Sequence, residues 1–332
     1  MYTKRNYGFW MTFNWSKMPF IYGIVYASVI VALAFFVDDY FKLSIAIPWQ
    51  PISVIGIAVA FYLGFKNNAS YDRTWEARKI WGGIVNNSRS FGAATVSFIK
   101  GNEIDPIKKK IIYRHIAWLT ALRYQLRLSR EWEHKNERVI GIYLPEPTEK
   151  YLDNLQEELS KYLSKDEIAA VISKANPAAQ LLKNQSVFIE ELNTLQYFND
   201  FRHIEFHKLI ATFYDDQGRS ERIKNFPFPR QYASVSLWQT VIFAALIPFG
   251  LLDIFTNADI SNTWFVIPFS GLIIWVFFLM EKIGDYSENP FEGTYNDIPI
   301  TSIARGIEID LRQMINDTDI PAAIKSENGF LM

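Results

Sequence analysis

Charge-free apolar stretches alternate with strongly polar ones along this chain, and the alternation divides it into five parts. Pro19–Val37 (PFIYGIVYASVIVALAFFV), Ile47–Phe65 (IPWQPISVIGIAVAFYLGF), Ala233–Leu252 (ASVSLWQTVIFAALIPFGLL) and Trp264–Met280 (WFVIPFSGLIIWVFFLM) contain no Asp, Glu, Lys or Arg. A bilayer core of ~30 Å is crossed by about 20 apolar residues, with roughly 17–25 acceptable. All four stretches meet that length. The alternative is four buried helices of a soluble core, but a chain of 332 residues has little protein with which to cover them. The pattern predicts an all-α integral membrane protein with four transmembrane helices per subunit. Its parts are an interfacial segment (1–18), spans one and two (19–65), a cytosolic helical domain (66–232), spans three and four (233–280) and a C-terminal cytosolic segment (281–332).

Basic residues beside the spans set the orientation. Lys4, Arg5 and Lys17 precede the first span, and Lys66, Arg73, Arg78 and Lys79 follow the second. Arg219, Arg222, Lys224 and Arg230 precede the third, and Lys282 follows the fourth. The links Asp38–Ala46 and Asp253–Thr263 carry Asp38, Asp39, Asp253 and Asp259 against a single Lys42. Both termini and the long central segment are therefore expected in the cytoplasm. Tyr2, Tyr7, Phe9, Trp10, Phe13 and Trp15 form an expected interfacial aromatic belt. The N-terminus lacks the short apolar stretch and small-residue cleavage site of a secretory signal peptide.

Residues 66–232 show helical spacing and no strand alternation. Asn176-Pro177 opens a run without Pro or Gly from Ala178 to about Tyr214, in which Leu181, Leu182, Phe188, Ile189, Leu192 and Leu195 recur near helical spacing. Arg123, Arg127 and Arg130 are spaced as on another helix, and FPFPR (226–230) marks re-entry to the membrane. Composition removes several function classes. Lys+Arg of 34 against Asp+Glu of 35 leaves no field for nucleic acid, and the absence of cysteine excludes disulfides, thiolate metal sites and cysteine nucleophiles. There is no GxGxxG or GxxxxGK[ST] loop and no Ser–His–Asp grouping, so neither an enzyme nor a cofactor is expected.

The second span carries the most information. Ile57, Phe61 and Phe65 recur every four residues on one face, one turn above another. Small residues (Gly56, Ala58, Ala60 and Gly64) surround them and permit close helix approach in lipid. A ring of such helices would form an apolar constriction, which gates by dewetting. Phenyl edges present a positive rim that favours anions. Spacing alone favours these side chains packing on lipid or a neighbouring span over a pore lining.

Pro51–Phe91 (PISVIGIAVAFYLGFKNNASYDRTWEARKIWGGIVNNSRSF) resembles the bestrophin family, particularly its bacterial members. Ser220–Tyr232 (SERIKNFPFPRQY) and Glu281–Leu311, with its Asn289-Pro290-Phe291, are similar to the same family and stand in the same order. The resemblance implies a homopentameric ion channel in which the second span lines a neck of three apolar rings. These fall on Ile57, Phe61 and Phe65. A second, cytosolic aperture falls on Ile210, with Leu209 or Phe206 as neighbouring alternatives in a less secure register. The implied partners are further copies of the chain, chloride or other monovalent ions, and membrane lipid.

Two departures from the family pattern matter. Calcium-gated animal bestrophins carry an acidic run after Asn-Pro-Phe, whereas here the text is Glu292-Gly293-Thr294-Tyr295-Asn296-Asp297. Calcium takes six to eight oxygen ligands, so calcium gating is not expected. Selectivity signals conflict: two Phe and one Ile in the neck match the anion-passing animal pattern, while the acidic outer links attract cations. Chloride permeability is the expectation, with a cation-selective channel of the same fold, a transporter, or a non-conducting scaffold as alternatives. The ionisable midplane residues usual in transporters are missing from the spans.

Other candidates weigh less. His203 and His207 (HIEFH) have the spacing of a metal-binding pair, but no third ligand stands near in sequence and a solvated or subunit-facing helix explains them, so no metal is expected. His115 and His134 are isolated. Asp72, Arg73, Trp75 and Glu76 are expected to anchor the inner end of the neck by packing and charge pairing.

Overall fold

The structure is a computed structural model that describes residues 1–101, 104–134, 148–258, 260–294 and 297–331. Among the described residues it contains ten α-helices: α1 (Phe9–Phe41), α2 (Trp49–Phe98), α3 (Ile104–Arg127), α4 (Thr148–Leu159), α5 (Lys165–Ile172), α6 (Pro177–Thr194), α7 (Asp200–Asn225), α8 (Arg230–Ala258), α9 (Val266–Ser287) and α10 (Ile300–Met314). A 3-10 turn, Ile260–Phe265, joins α8 to α9. The four apolar stretches lie on α1, α2, α8 and α9, each long and apolar enough to cross a membrane.

Spans and helices differ in length, and the difference is the main architectural fact. At 50 residues, α2 is about 75 Å long, more than twice a bilayer core. It passes position 65 without a break, because Lys66–Phe98 contains no Pro and nothing else that interrupts the i→i−4 ladder. The polar switch after Phe65 marks a change of solvent, not of backbone. Likewise α1 starts ten residues before Pro19, so its first turns carry the exposed Phe9 and Trp10.

The apolar bundle is held by small residues. A Cβ on Gly23 of α1 would stand 3.1 Å from the Cα of Gly271 on α9, which brings these two helices together. Trp275 Nε1 donates to Ser16 Oγ (2.9 Å) and Tyr26 OH to the carbonyl of Ala245 (2.9 Å). α8 is the central member: half of its apolar window is buried, against 22–28% for the other three. The exposed remainder of those three is available for lipid or further copies.

A second bundle, outside the four apolar spans, is packed from the lower half of α2, with α3, α6, α7 and α10. Trp81, Phe91, Trp118, Phe206 and Phe213 are fully buried there. His115 lies among them, 4.5 Å from the Phe213 ring, and burial pushes its pKa down to about 3. It is a neutral core histidine hydrogen-bonded to Ser88 (2.9 Å). The long periodic run after Pro177 is two helices. Asn176 caps α6 by accepting from Ala179 N–H (3.0 Å); the chain turns at Gln196 (φ 61°), and Asn199 caps α7 by accepting from Arg202 N–H (3.1 Å).

A polar seam joins the end of α9 to the segment after α3. His134 lies between Asp285 (Nε2···Oδ2 2.7 Å) and Glu292 (Nδ1···Oε2 3.2 Å) and stacks on Tyr286. Lys224 pairs with Glu133 and Arg127 with Asp297, all four side chains almost fully buried. Removing one partner from such a pair strands a buried charge, so the seam locks α3, α7 and the post-α9 loop in one register.

Two measurable consequences follow from this packing. A Cβ on Gly56 would sit 2.7 Å from two carbons of the buried Phe243 ring. Helix propensity favours Ala over Gly by about 1 kcal/mol, yet G56A is expected to destabilise by about 1–3 kcal/mol through overpacking; an unchanged thermal midpoint in detergent would refute the contact. For His134, burial opposes the charge but the hydrogen bonds and charges of Asp285 and Glu292 outweigh it, raising the pKa from 6.5 to about 10. A raised folded pKa contributes stability that is complete below 6.5 and lost as pH climbs through about 10. The stability gap between wild type and H134Q should therefore be wide at pH 7 and narrow by pH 10, and parallel curves across that window would rule the linkage out.

Candidate pore-lining site

α2 has two opposite faces along its apolar half. Ile52, Gly56, Val59, Leu63, Lys66 and Ser70 are buried against the rest of the subunit. On the other side Ile57, Phe61 and Phe65 are 62%, 68% and 57% exposed, forming with Val54 an uninterrupted apolar strip. The Phe61 and Phe65 ring centroids lie 6.1 Å apart. Nothing in the subunit covers this strip. It offers aromatic edges and alkyl groups and no charge.

The rotation of α2 about its own axis decides what that strip faces, and several contacts fix it. Gly56 admits the Phe243 ring of α8. Lys66, fully buried directly after Phe65, donates to Glu281 Oε1 of α9 (2.6 Å). Two turns on, Arg73 donates through Nε to the Glu288 carbonyl (2.9 Å) and through one terminal nitrogen to the carbonyls of Ile223 (3.1 Å) and Phe226 (2.9 Å). Those carbonyls close the C-termini of α9 and α7, where unpaired C=O groups and the helix dipole attract a cation. Thr74 Oγ1 adds a bond to the Ser287 carbonyl (2.9 Å). Arg230 pairs with the buried Glu288 carboxylate.

The anchoring role expected of Arg73 and Glu76 takes a different form in each. Arg73 works through backbone carbonyls, and Glu76 pairs with Arg222 (2.5 Å). Trp75 stacks on Tyr71 and stays exposed. Asp72 is exposed and engages nothing among the described residues. Lys66, Glu281 and Glu288 escaped the sequence reading. The available signal was a Lys directly after one apolar stretch and a Glu directly after another, opposite charges at equal depth.

Ile210 requires a correction. It is 1% exposed, packed in the core of the second bundle beside the fully buried Phe206 and Phe213, while Leu209 is partly buried against the same core. A residue that rings a central opening must leave its subunit's core, and Ile210 does not. The exposed apolar side chains at the start of α7 are Phe201 and Ile204.

The remaining candidates resolve into local roles. Arg123 pairs with Glu158, Arg127 with Asp297, and Arg130 hydrogen-bonds Asn225, so this row is a set of internal contacts and not an open basic face. His203 meets Glu190 (3.1 Å) beside an open groove of about 740 Å³ between α6 and α7 that His207 also lines, and no cluster of three metal-ligating side chains occurs among the described residues. Asp297 accepts the N–H groups of Phe291, Gly293 and Ile298, which shapes the Asn-Pro-Phe loop, and Glu292 is held by His134. Tyr295, Asn296 and Asp259 lie outside the described residues. Asp253, read from the sequence as an acid of the outer link, belongs to α8 and accepts Trp49 N–H (3.2 Å) at the start of α2.

Comparison with known proteins gives consistent results. A family model described as Bacterial/Fungal Bestrophin protein matches residues 16–313. The chain is 27% identical over 302 residues to the voltage-dependent anion channel-forming protein YneE of Escherichia coli, covering 90% of this chain and 88% of that protein. It is 28% identical over 319 residues to a voltage-dependent anion channel-forming protein of Mesorhizobium japonicum, covering 94% and 89%. The crystal structure of a bacterial bestrophin homolog from Klebsiella pneumoniae superimposes with a TM-score of 0.76 at 19% identity, over 91% of this chain and 98% of that one. With four apolar spans, a continuous α2 and a family match across nearly its whole length, this chain belongs to the bacterial and fungal bestrophin family.

Proposed function

We propose that the protein is a passive ion channel of a bacterial inner membrane, built as a homopentamer with both termini cytoplasmic, whose α2 helices line an apolar neck at Ile57, Phe61 and Phe65 and pass chloride and similar anions. The observation that carries this reading is the exposed strip itself: three bulky apolar side chains, each more than half exposed, on a helix whose rotation is fixed by Gly56, Lys66 and Arg73. Burial of such a strip around a central axis gives a narrow dewetting constriction, and tilted phenyl rings turn their positive edges to an anion. The names of the relatives, anion channel-forming proteins, support the ion class. A cytosolic narrowing, if formed by α7, falls to Phe201 and Ile204, since these are free of the core. A cation-selective channel of the same fold is the second reading, favoured by the exposed Asp38 and Asp39 at the other end of the bundle.

Purified protein in planar bilayers tests both. Under asymmetric KCl the reversal potential should lie towards the chloride equilibrium potential; the potassium side would favour the second reading. F61A and F65A should each raise conductance or open probability several-fold, because a wider and less apolar ring wets more easily. Currents identical to wild type in both variants would remove the neck from these residues.

A further inference from the structure

Below the apolar strip, the same helical row of α2 continues into the aqueous half of the molecule. Seven residues beyond Phe65 is about 20° short of two full turns, and eleven beyond Phe61 about 20° past three, so Asp72 lies nearly in line with both rings. Asn68, also exposed, occupies the turn between. Since α2 is one unbroken helix, this alignment is carried by the backbone itself.

The carboxylate of Asp72 has no hydrogen-bond or ion-pair partner among the described residues, and its side chain is exposed. The cations that might have neutralised it are committed elsewhere. Arg73, its chain neighbour, points about 100° round the helix, to the carbonyls of Ile223, Phe226 and Glu288. Arg222 pairs with Glu76, Lys66 with Glu281, and Arg78 lies over the Trp75 ring. Amid so many paired charges, this acid on the row of Phe61 and Phe65 makes no hydrogen bond or ion pair among the described residues.

From this we infer that Asp72 is a selectivity-determining residue: a ring of Asp72 carboxylates at the cytosolic mouth of the neck repels anions, concentrates cations, and works against the anion preference of the phenyl rings above it. The inference rests on the proposed pore. Lys79 continues the same row with the opposite sign and is also exposed. Distance decides between them. Asp72 lies about 10 Å below Phe65 and Lys79 about 21 Å, while exposed charges are screened over about 8 Å at physiological ionic strength. The neck entrance therefore feels the acidic ring first and the basic one weakly. Glu76, between them, is neutralised by Arg222.

Reversal potentials of wild type, D72N, D72K and D72E under asymmetric KCl test the assignment, on protein whose oligomeric state is checked by native mass measurement. The chloride-to-potassium permeability ratio should rise several-fold in D72N and about tenfold in D72K, the scale on which a lining charge changes local ion concentration. D72E should hold the wild-type ratio. The D72N effect should shrink as total salt is raised at constant gradient, a screening signature that a merely structural defect would not produce. If F61A or F65A alters the current while D72N and D72K keep the wild-type reversal potential, the Asp72 assignment falls and the pore stands. If wild type passes no current at all, the pore reading falls and the inference with it.

Discussion

The Arg73 guanidinium, seated at the C-termini of α7 and α9, is the contact on which the geometry of this molecule turns. Two helices end with unsatisfied carbonyls at one level, and one cation from α2 serves both. Because three carbonyls hold a planar fork, the direction of the guanidinium is set, and with it the azimuth of α2. Lys66 with Glu281 sets the same azimuth two turns higher, and Gly56 against Phe243 higher still. A helix pinned at three depths cannot roll. Its uncovered strip of Ile57, Phe61 and Phe65 is therefore a fixed feature of the subunit.

Function follows from the contrast between the two sides of α2. The buried side spends small and charged groups on contacts within the subunit, while the opposite side leaves large apolar groups uncovered in its upper half and an unpaired acid in its lower half. A single chain has no internal use for either. In the proposed pore both would acquire a use, the apolar rings controlling wetting and the acid biasing the ions that reach them. The polar seam of His134, Asp285, Glu292, Asp297 and Arg127 complements this. Its carboxylates are taken up by Arg127 and His134, and the loop after α9 is held by these internal bonds.

The four apolar helices were legible because lipid imposes one severe rule, that backbone polar groups be satisfied within the segment. Apolar stretches of sufficient length therefore had to be helices. The four-residue spacing of Ile57, Phe61 and Phe65 was legible for the same reason, since helical period converts spacing directly into a shared face. The helix start at Asn176-Pro177 was local, and so readable; the break at Gln196 and the new start at Asn199 were not read, because a left-handed turn at a non-glycine carries no sequence signature.

Periodicity could not say which face of α2 is covered, since burial is a property of what packs against a residue. That required Phe243, Glu281 and the ends of α7 and α9, all brought in from more than 140 positions away in the chain. Ile210 shows the same limit from the other side: an apolar residue on a polar helix fits a pore ring or a core equally well until Phe206 and Phe213 are seen around it. Pairing of the charges was equally invisible. The sequence by itself determined the four apolar spans and the shared face of Ile57, Phe61 and Phe65, because helix period and bilayer thickness are local constraints. Only the tertiary structure decided which strip is free, which arginines are spent on carbonyls, and which acid is left over, because those are outcomes of contact between distant segments.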